Sequence, residues 1–224
     1  LSSRREYTKL NPFVVLLGTG DHQISSSWTS PATGGIFPSM IGITRSSITF
    51  VGTGKDTTTI LGGFAIENLE NITFKEMTVT NTSFGGDGIR VRNAKVELID
   101  VAFKGCANFA LYIPASTSTT VVVATRCEFA NSRYGAVVKG RLTSAKFNNC
   151  VFHDNEYQGL AVSNNATIHL HGEATAIHSN GTSGISAWRS SKVLIHLPSH
   201  HNTSYNNGTD RTTNGSGTII NVED

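Results

Sequence analysis

Apolar and polar positions alternate along this chain in short bursts, and the bursts return at a nearly fixed spacing. Ile48-Thr49-Phe50 is an apolar-polar-apolar triplet. It recurs as Ile72-Thr73-Phe74, Val96-Glu97-Leu98, Val122-Val123-Ala124, Ala145-Lys146-Phe147, Leu170-His171-Gly172 and Ile195-His196-Leu197. Successive first members lie 23 to 26 residues apart. A second apolar position follows at Val79, Phe103, Phe129, Phe152 and Ile177. After a polar turn comes a third set: Ile89-Arg90-Val91, Leu111-Tyr112-Ile113, Ala136-Val137-Val138, Leu160-Ala161-Val162 and Ile185-Ser186-Ala187. Alternation with a period of two is the mark of a half-buried strand, so each repeat predicts three short strands.

A sandwich of hairpins needs no fixed long period. Here equivalent residues return about every 24 positions, so each can lie on its counterpart one repeat later. The expected fold class is all-β: a single-stranded right-handed parallel β-helix of about eight coils, rising about 4.8 Å per coil. Residues 1–224 read as one domain: 1–40 the N-terminal cap and first coil, 41–199 the regular coils, 200–224 a polar cap or tail. An open coil end exposes strand edges, so residues 1–12 are expected to close it with a short helix or strand. Phe103, Phe129 and Phe152 should form an aromatic ladder, with Cys127 stacked on Cys150. Asn81, Asn131 and Asp154 follow the second strand, where short polar side chains tolerate left-handed or bridging backbone. Gly88, Gly135, Gly159 and Gly184 stand before the third.

Composition agrees with this picture and narrows the partners. Charged residues are only 15% of the chain against 38% hydrophobic, and abundant Thr suits a pleated surface. A net charge of +2 gives no footprint for nucleic acid. No apolar stretch is long enough to span a bilayer, and Phe13 to Leu17 is too short for a signal-peptide core. Three cysteines cannot all pair internally and lack Cys-x-x-Cys spacing, so they read as small buried thiols. Gly52-Thr53-Gly54-Lys55 lacks the phosphate-loop pattern and reads as a tight turn.

Two outer columns carry candidate chemistry. In the first-strand column Lys146, His171 and His196 are expected in a row, with His169 beside His171. One base in such a row takes a C5 proton of a uronic acid while cations hold its carboxylate, so these three are the candidate catalytic residues. Three close imidazoles could also hold a transition metal. Val121 and Val123 interrupt the same face, however, and no carboxylate ladder exists for calcium, so no metal and no cofactor is expected. On the third strand, Arg90, Arg92, Tyr112, Lys139 and Trp188 form the candidate glycan-binding set, able to stack on and hydrogen-bond acidic sugars.

The stretch Ile48-Thr49-Phe50-Val51-Gly52-Thr53-Gly54-Lys55-Asp56-Thr57-Thr58-Thr59-Ile60-Leu61-Gly62 resembles the early-coil segment of pectin methylesterases. Leu17-Gly18-Thr19-Gly20-Asp21-His22 is similar to the element preceding it there. With the repeat over about residues 13 to 200, the chain resembles the pectin-lyase-like superfamily of right-handed β-helices. The resemblance implies the fold and no activity. The paired Asp residues of the esterases have no counterpart, the epimerases' Asp-Pro-His motif is missing, and of polygalacturonase motifs only Gly86-Asp87-Gly88 remains, read as a turn. The expected function is therefore a non-catalytic β-helix that scaffolds an assembly or binds a surface through an acidic glycan. The alternative is a lyase, hydrolase or epimerase acting on a uronic-acid polymer. The expected partner is a polysaccharide or a protein of the same assembly, with no nucleic acid and no membrane span.

Overall fold

The structure is a computed structural model that describes residues 6–196 and 203–223. Leu197 and the start of the polar tail at His200 lie outside the described residues, as do residues 1–5 of the expected cap.

The described residues form no helix, and nearly every strand pairs in parallel with its counterpart one turn away. First- and second-strand segments share one 15-stranded sheet, and third-strand segments form an 8-stranded sheet. The first two positions share a sheet because Ile72–Thr80 and Lys95–Lys104 run unbroken round the corner between them. That corner is turned at Glu76 and Asp100, whose φ angles are +56° and +53°. A non-glycine residue in this left-handed region costs free energy and survives only where neighbours over-determine it. Arg126, Asn149 and Gly172 repeat the positive φ one turn later each time.

Side chains pointing inward build one continuous core. Phe103, Phe129 and Phe152 are fully buried and stack as predicted, with ring centroids 5.5 and 4.8 Å apart and planes within 9°. Cys127 and Cys150 occupy matching buried positions, and all three cysteines are free. Beside the phenylalanine ladder runs a buried asparagine ladder. Asn155 Nδ2 donates to Asn180 Oδ1 and Asn180 Nδ2 to Asn207 Oδ1, both at 2.8 Å. The same amides donate to the carbonyls of Phe129, Phe152 and Ile177, so the polar groups at this corner find partners inside the coil.

Several details differ from expectation. Asn131 and Asp154 are left-handed, but Asn81 is not among them; it is buried and donates to the carbonyl of Asp87 at 3.0 Å, while Gly105 takes the left-handed place in that column. The glycines beside the third strand answer a close approach: a Cβ at Gly135 would sit 2.3 Å from the Gly159 carbonyl oxygen of the next turn. Residues 6–12 form a turn, closed by mutual Thr8 and Asn11 backbone bonds, in place of a helix or strand. Of the polar tail, Ser204–Tyr205, Thr209–Asn214 and Thr218–Val222 pair in parallel on the preceding turn and extend the stack. Unforeseen is an antiparallel hairpin, Trp28–Thr29 with Ile36–Phe37, that leaves the coil near its N-terminal end.

The most consequential difference is a register slip. Ala145-Lys146-Phe147 pairs with Ile168-His169-Leu170, which pairs with Val193-Leu194-Ile195. The expected partners, Leu170-His171-Gly172 and Ile195-His196-Leu197, stand two residues too late. A shift of two keeps every side chain on its own face, so hydrophobic alternation cannot detect it.

Phe129 packs between two rings of its own ladder and edge-on against Phe147. Phe129→Ala should therefore lower unfolding free energy by about 3–5 kcal/mol, read as a shift in denaturant midpoint. A change under about 1 kcal/mol would contradict a dry, close-packed ladder.

Candidate functional site

The third-strand face is built by the column Arg90, Tyr112, Val137, Ala161 and Ser186, whose register matches the sequence reading. Lys139, Ser163 and Trp188 form the column beside it, one residue per turn. Lys139 and Trp188 are two turns apart, about 10 Å along the axis. Between them lies an open groove of about 180 Å³, floored by Val137 and Ala161 and bounded by Tyr134, Lys139 and Trp188. It is shallower than the pockets that engulf small ligands, typically about 300–1,000 Å³, and resembles a platform. Trp188 is 40% exposed, a large apolar surface left open to solvent.

The other candidates on this face stand differently. Tyr112 stacks on Phe109 at 4.4 Å, with the Arg90 guanidinium 4.6 Å and the Lys139 ammonium 5.4 Å from its ring centre. Its faces are thus occupied by protein, and it supports Lys139. Arg90 is clamped between Tyr112 and Phe37 of the hairpin, at 4.6 and 4.4 Å, and bonds Asp87 at 3.4 Å. Arg92 pairs in register with Glu67, under the same end of the face. The Nε atoms of Arg90 and Arg92 and the Glu67 Oε2 are buried without a protein partner. The five residues therefore split: Lys139 and Trp188 meet at one groove, while Arg90 and Arg92 lie near the hairpin with Tyr112 between.

Sequence reasoning missed the aromatic row at the start of this strand. Phe109, Tyr134 and Tyr157 succeed one another at 5.0 Å, and the Arg133 guanidinium lies 5.3 Å from the Tyr157 ring centre. A hydrogen bond with Tyr157 raises the Arg133 pKa further above its usual value. The signal was available, since Phe109, Tyr134 and Tyr157 repeat at the coil period. These rings turn their faces toward one another along the axis.

Asp87 is the buried charge beneath this face, 1% exposed. Its Oδ1 accepts from Asn108 Nδ2 at 3.0 Å and from the Phe109 backbone N–H at 3.4 Å. Burial pushes its pKa up to about 6, against the opposing pull of Arg90, Phe109 and Asn108. Gly86-Asp87-Gly88 is thus the loop leading into the strand at Ile89, with its acid turned inward.

On the first-strand face the register slip reassigns neighbours. Lys146 stands opposite His169, while His171 and His196 face one another with ring centres 4.0 Å apart. Lys146, His171 and His196 therefore do not share one row. His169 Nδ1 lies 3.0 Å from His196 Nε2, and one nitrogen of each of the three rings falls within 4.8 Å of the others. Burial lowers the His169 pKa, helped by His196 and Lys146, which favours the neutral ring. A separate network occupies the second-strand face. Glu128 accepts from Lys104 at 2.9 Å and contacts His153 Nε2 at 3.0 Å, with Asp154 at 2.6 Å from Nδ1. Burial would raise the Glu128 pKa, but the bonds to Lys104 and His153 prevail and lower it.

No described helix is long and apolar enough to cross a membrane. Residues 39–208 match the family described as the right handed beta helix region. No curated protein sequence matches the chain. Among solved structures, ORF18 of Geobacillus virus E2 aligns with a TM-score of 0.55 at 14% identity, over 94% of this chain and 53% of that one. The chain therefore spans about half the length of the virus protein. The pectin methylesterase from Yersinia enterocolitica aligns at 0.54 and 12% identity, over 98% of this chain and 89% of its own. The enzymatically active domain of bacteriophage CBA120 tailspike protein 2 aligns at 0.51 and 14% identity, over 96% and 40%. At such identities the likeness is one of fold.

Asp87 gives a pH test of this face. Its folded pKa of about 6 lies above the ordinary 3.8, so the folded state holds this proton more tightly than the unfolded state. Its contribution is full below pH 3.8 and is lost as pH rises through about 6. From pH 4 to 7 the native chain should lose on the order of 2–3 kcal/mol relative to Asp87→Asn in denaturant unfolding. Parallel pH profiles for the two proteins would contradict the assignment.

Proposed function

The chain belongs to the right-handed β-helix family, and from that premise we propose that it is a non-catalytic surface-binding protein whose third-strand face holds an acidic glycan. The observation that carries this reading is the groove with the exposed Trp188 indole at one end and Lys139 at the other, its ammonium over the adjoining Tyr112 ring. An indole offers an apolar face to the C–H side of a sugar ring, and an ammonium pairs with a uronate carboxylate. A polymer lying along the coil axis meets both at once. Tyr134, Gln158 and Ser163 on the rim supply hydrogen-bonding groups. A β-helix keeps these side chains on rigid strands, so little ordering opposes binding.

The test is calorimetric titration of the native chain with polygalacturonate, alginate and a neutral glucan. A polyuronide should bind and the glucan should not. Trp188→Ala and Lys139→Ala should each weaken binding by about tenfold, or about 1.4 kcal/mol. Native affinity in both variants, or equal binding of the neutral glucan, would overturn the reading.

A second reading, a polysaccharide-acting enzyme, has one observation in its favour: Lys146 stands opposite His169, whose pKa burial lowers, with His171 and His196 alongside. A cation beside a base is the pair that uronate elimination needs. Release of unsaturated product by the native chain, abolished in Lys146→Ala, would establish it over the binding reading. Incubation without product would remove it.

A further inference from the structure

The register keeps together the three imidazoles that the sequence pattern already placed close to one another, and moves only Lys146, which stands opposite His169 instead of His171. His169 and His171 point outward from one strand, Thr167–His171, and His196 ends the strand of the next turn, Lys192–His196. His169 Nδ1 and His196 Nε2 are 3.0 Å apart, and His171 stacks on His196 with ring centres 4.0 Å apart. All three rings are nearly parallel, and the His169 ring centre lies 5.3 Å from that of His196 and 6.2 Å from that of His171. All three are half-buried, and their donor nitrogens fall within 4.8 Å of one another.

We propose that His169, His171 and His196 form a binding site for one divalent transition-metal ion, of the zinc, nickel or copper class, that staples two successive turns of the coil. Three neutral imidazoles are the donor set for such ions, whereas calcium and magnesium require oxygen ligands. Metal–nitrogen bonds of about 2.0–2.1 Å in a tetrahedral site place donor nitrogens about 3.4 Å apart. The closest pair here must open by a few tenths of an ångström, and the third ring must swing inward. Both are rotations of outward side chains on fixed strands. The ion replaces the hydrogen bond between His169 Nδ1 and His196 Nε2; the ring that donates it moves its proton to its other nitrogen, so both rings bind as neutral imidazoles with no net loss of a proton. Three imidazoles leave a fourth position for water or an anion. A filled site engages the same rings that the enzyme reading requires as bases, so metal and elimination chemistry exclude each other here. The glycan groove on the third-strand face is independent of both.

The experiment titrates the chelator-treated native chain with Co²⁺, follows the visible d–d bands, and then displaces the ion with Zn²⁺. One ion per chain with tetrahedral bands is expected, and Zn²⁺ should raise the unfolding midpoint because it binds only the folded turns. His171→Ala and His196→Ala should each abolish the bands and weaken Zn²⁺ by about 100-fold, the upper end of what losing even an outer-shell partner does. His153→Ala, on the other face, should leave both unchanged. Unfolding curves of the metal-free variants separate loss of the site from loss of the fold. Absence of tetrahedral bands at one equivalent, or bands that survive in a folded His171→Ala, would overturn the site. Glycan binding unaffected by Zn²⁺ would leave the third-strand reading standing whichever way this falls.

Discussion

Every feature of this molecule depends on the in-register parallel hydrogen bonding between one turn and the next. Each turn of a β-helix has too little apolar surface to bury alone, and its backbone N–H and C=O groups point up and down the axis. Stacking satisfies both requirements together. Once the register is set, residue types at one position are placed directly over their counterparts, about 4.8 Å apart. Inside, this selects like on like: Phe103 on Phe129 on Phe152, and Asn155 on Asn180 on Asn207. The asparagine ladder satisfies its own buried amides, each donating to a carbonyl of the coil and to the next asparagine.

Outside, the same stacking turns sequence periodicity into rows of chemistry. The three faces are chemically separate. The third-strand face combines Lys139 with an open indole, the first-strand face gathers imidazoles, and the second-strand face ties Lys104, Glu128, His153 and Asp154 into one network. Stacking also limits what a row can do. Phe109, Tyr134 and Tyr157 use their ring faces on one another. Trp188, at 40% exposure, is the ring left with open surface on that face. A solenoid thus turns much of its aromatic surface on itself, and on the third-strand face the open surface of Trp188 is where the proposed glycan contact lies.

The inward pattern was legible in the sequence because burial imposes it. Val79, Phe103, Phe129, Phe152 and Ile177 carry the period unambiguously, and the columns from Arg90 to Ser186 and from Lys139 to Trp188 follow in register. The histidine neighbourhood was legible only in part. Ile168, Leu170, Val193 and Ile195 are all apolar and inward, so two registers bury equal surface and only the turn lengths decide. The hairpin at Trp28–Phe37 carries no period, so its clamp on Arg90 was invisible to repeat analysis. Asp87 looked like a turn residue because its burial depends on Asn108 and Phe109 from the next turn.

Turn-to-turn register sets where Lys146 stands against the histidines, and paired cysteines measure it most directly. Lys146 and His169 are directly opposed, about 4.8 Å apart between Cα atoms, within the range a disulfide spans. Lys146 and His171 are about 8 Å apart, beyond that range. Under mild oxidation, Lys146→Cys with His169→Cys should close a disulfide in the folded chain, while Lys146→Cys with His171→Cys should remain reduced. The opposite result would place Lys146, His171 and His196 in one row and contradict the register on which this account rests.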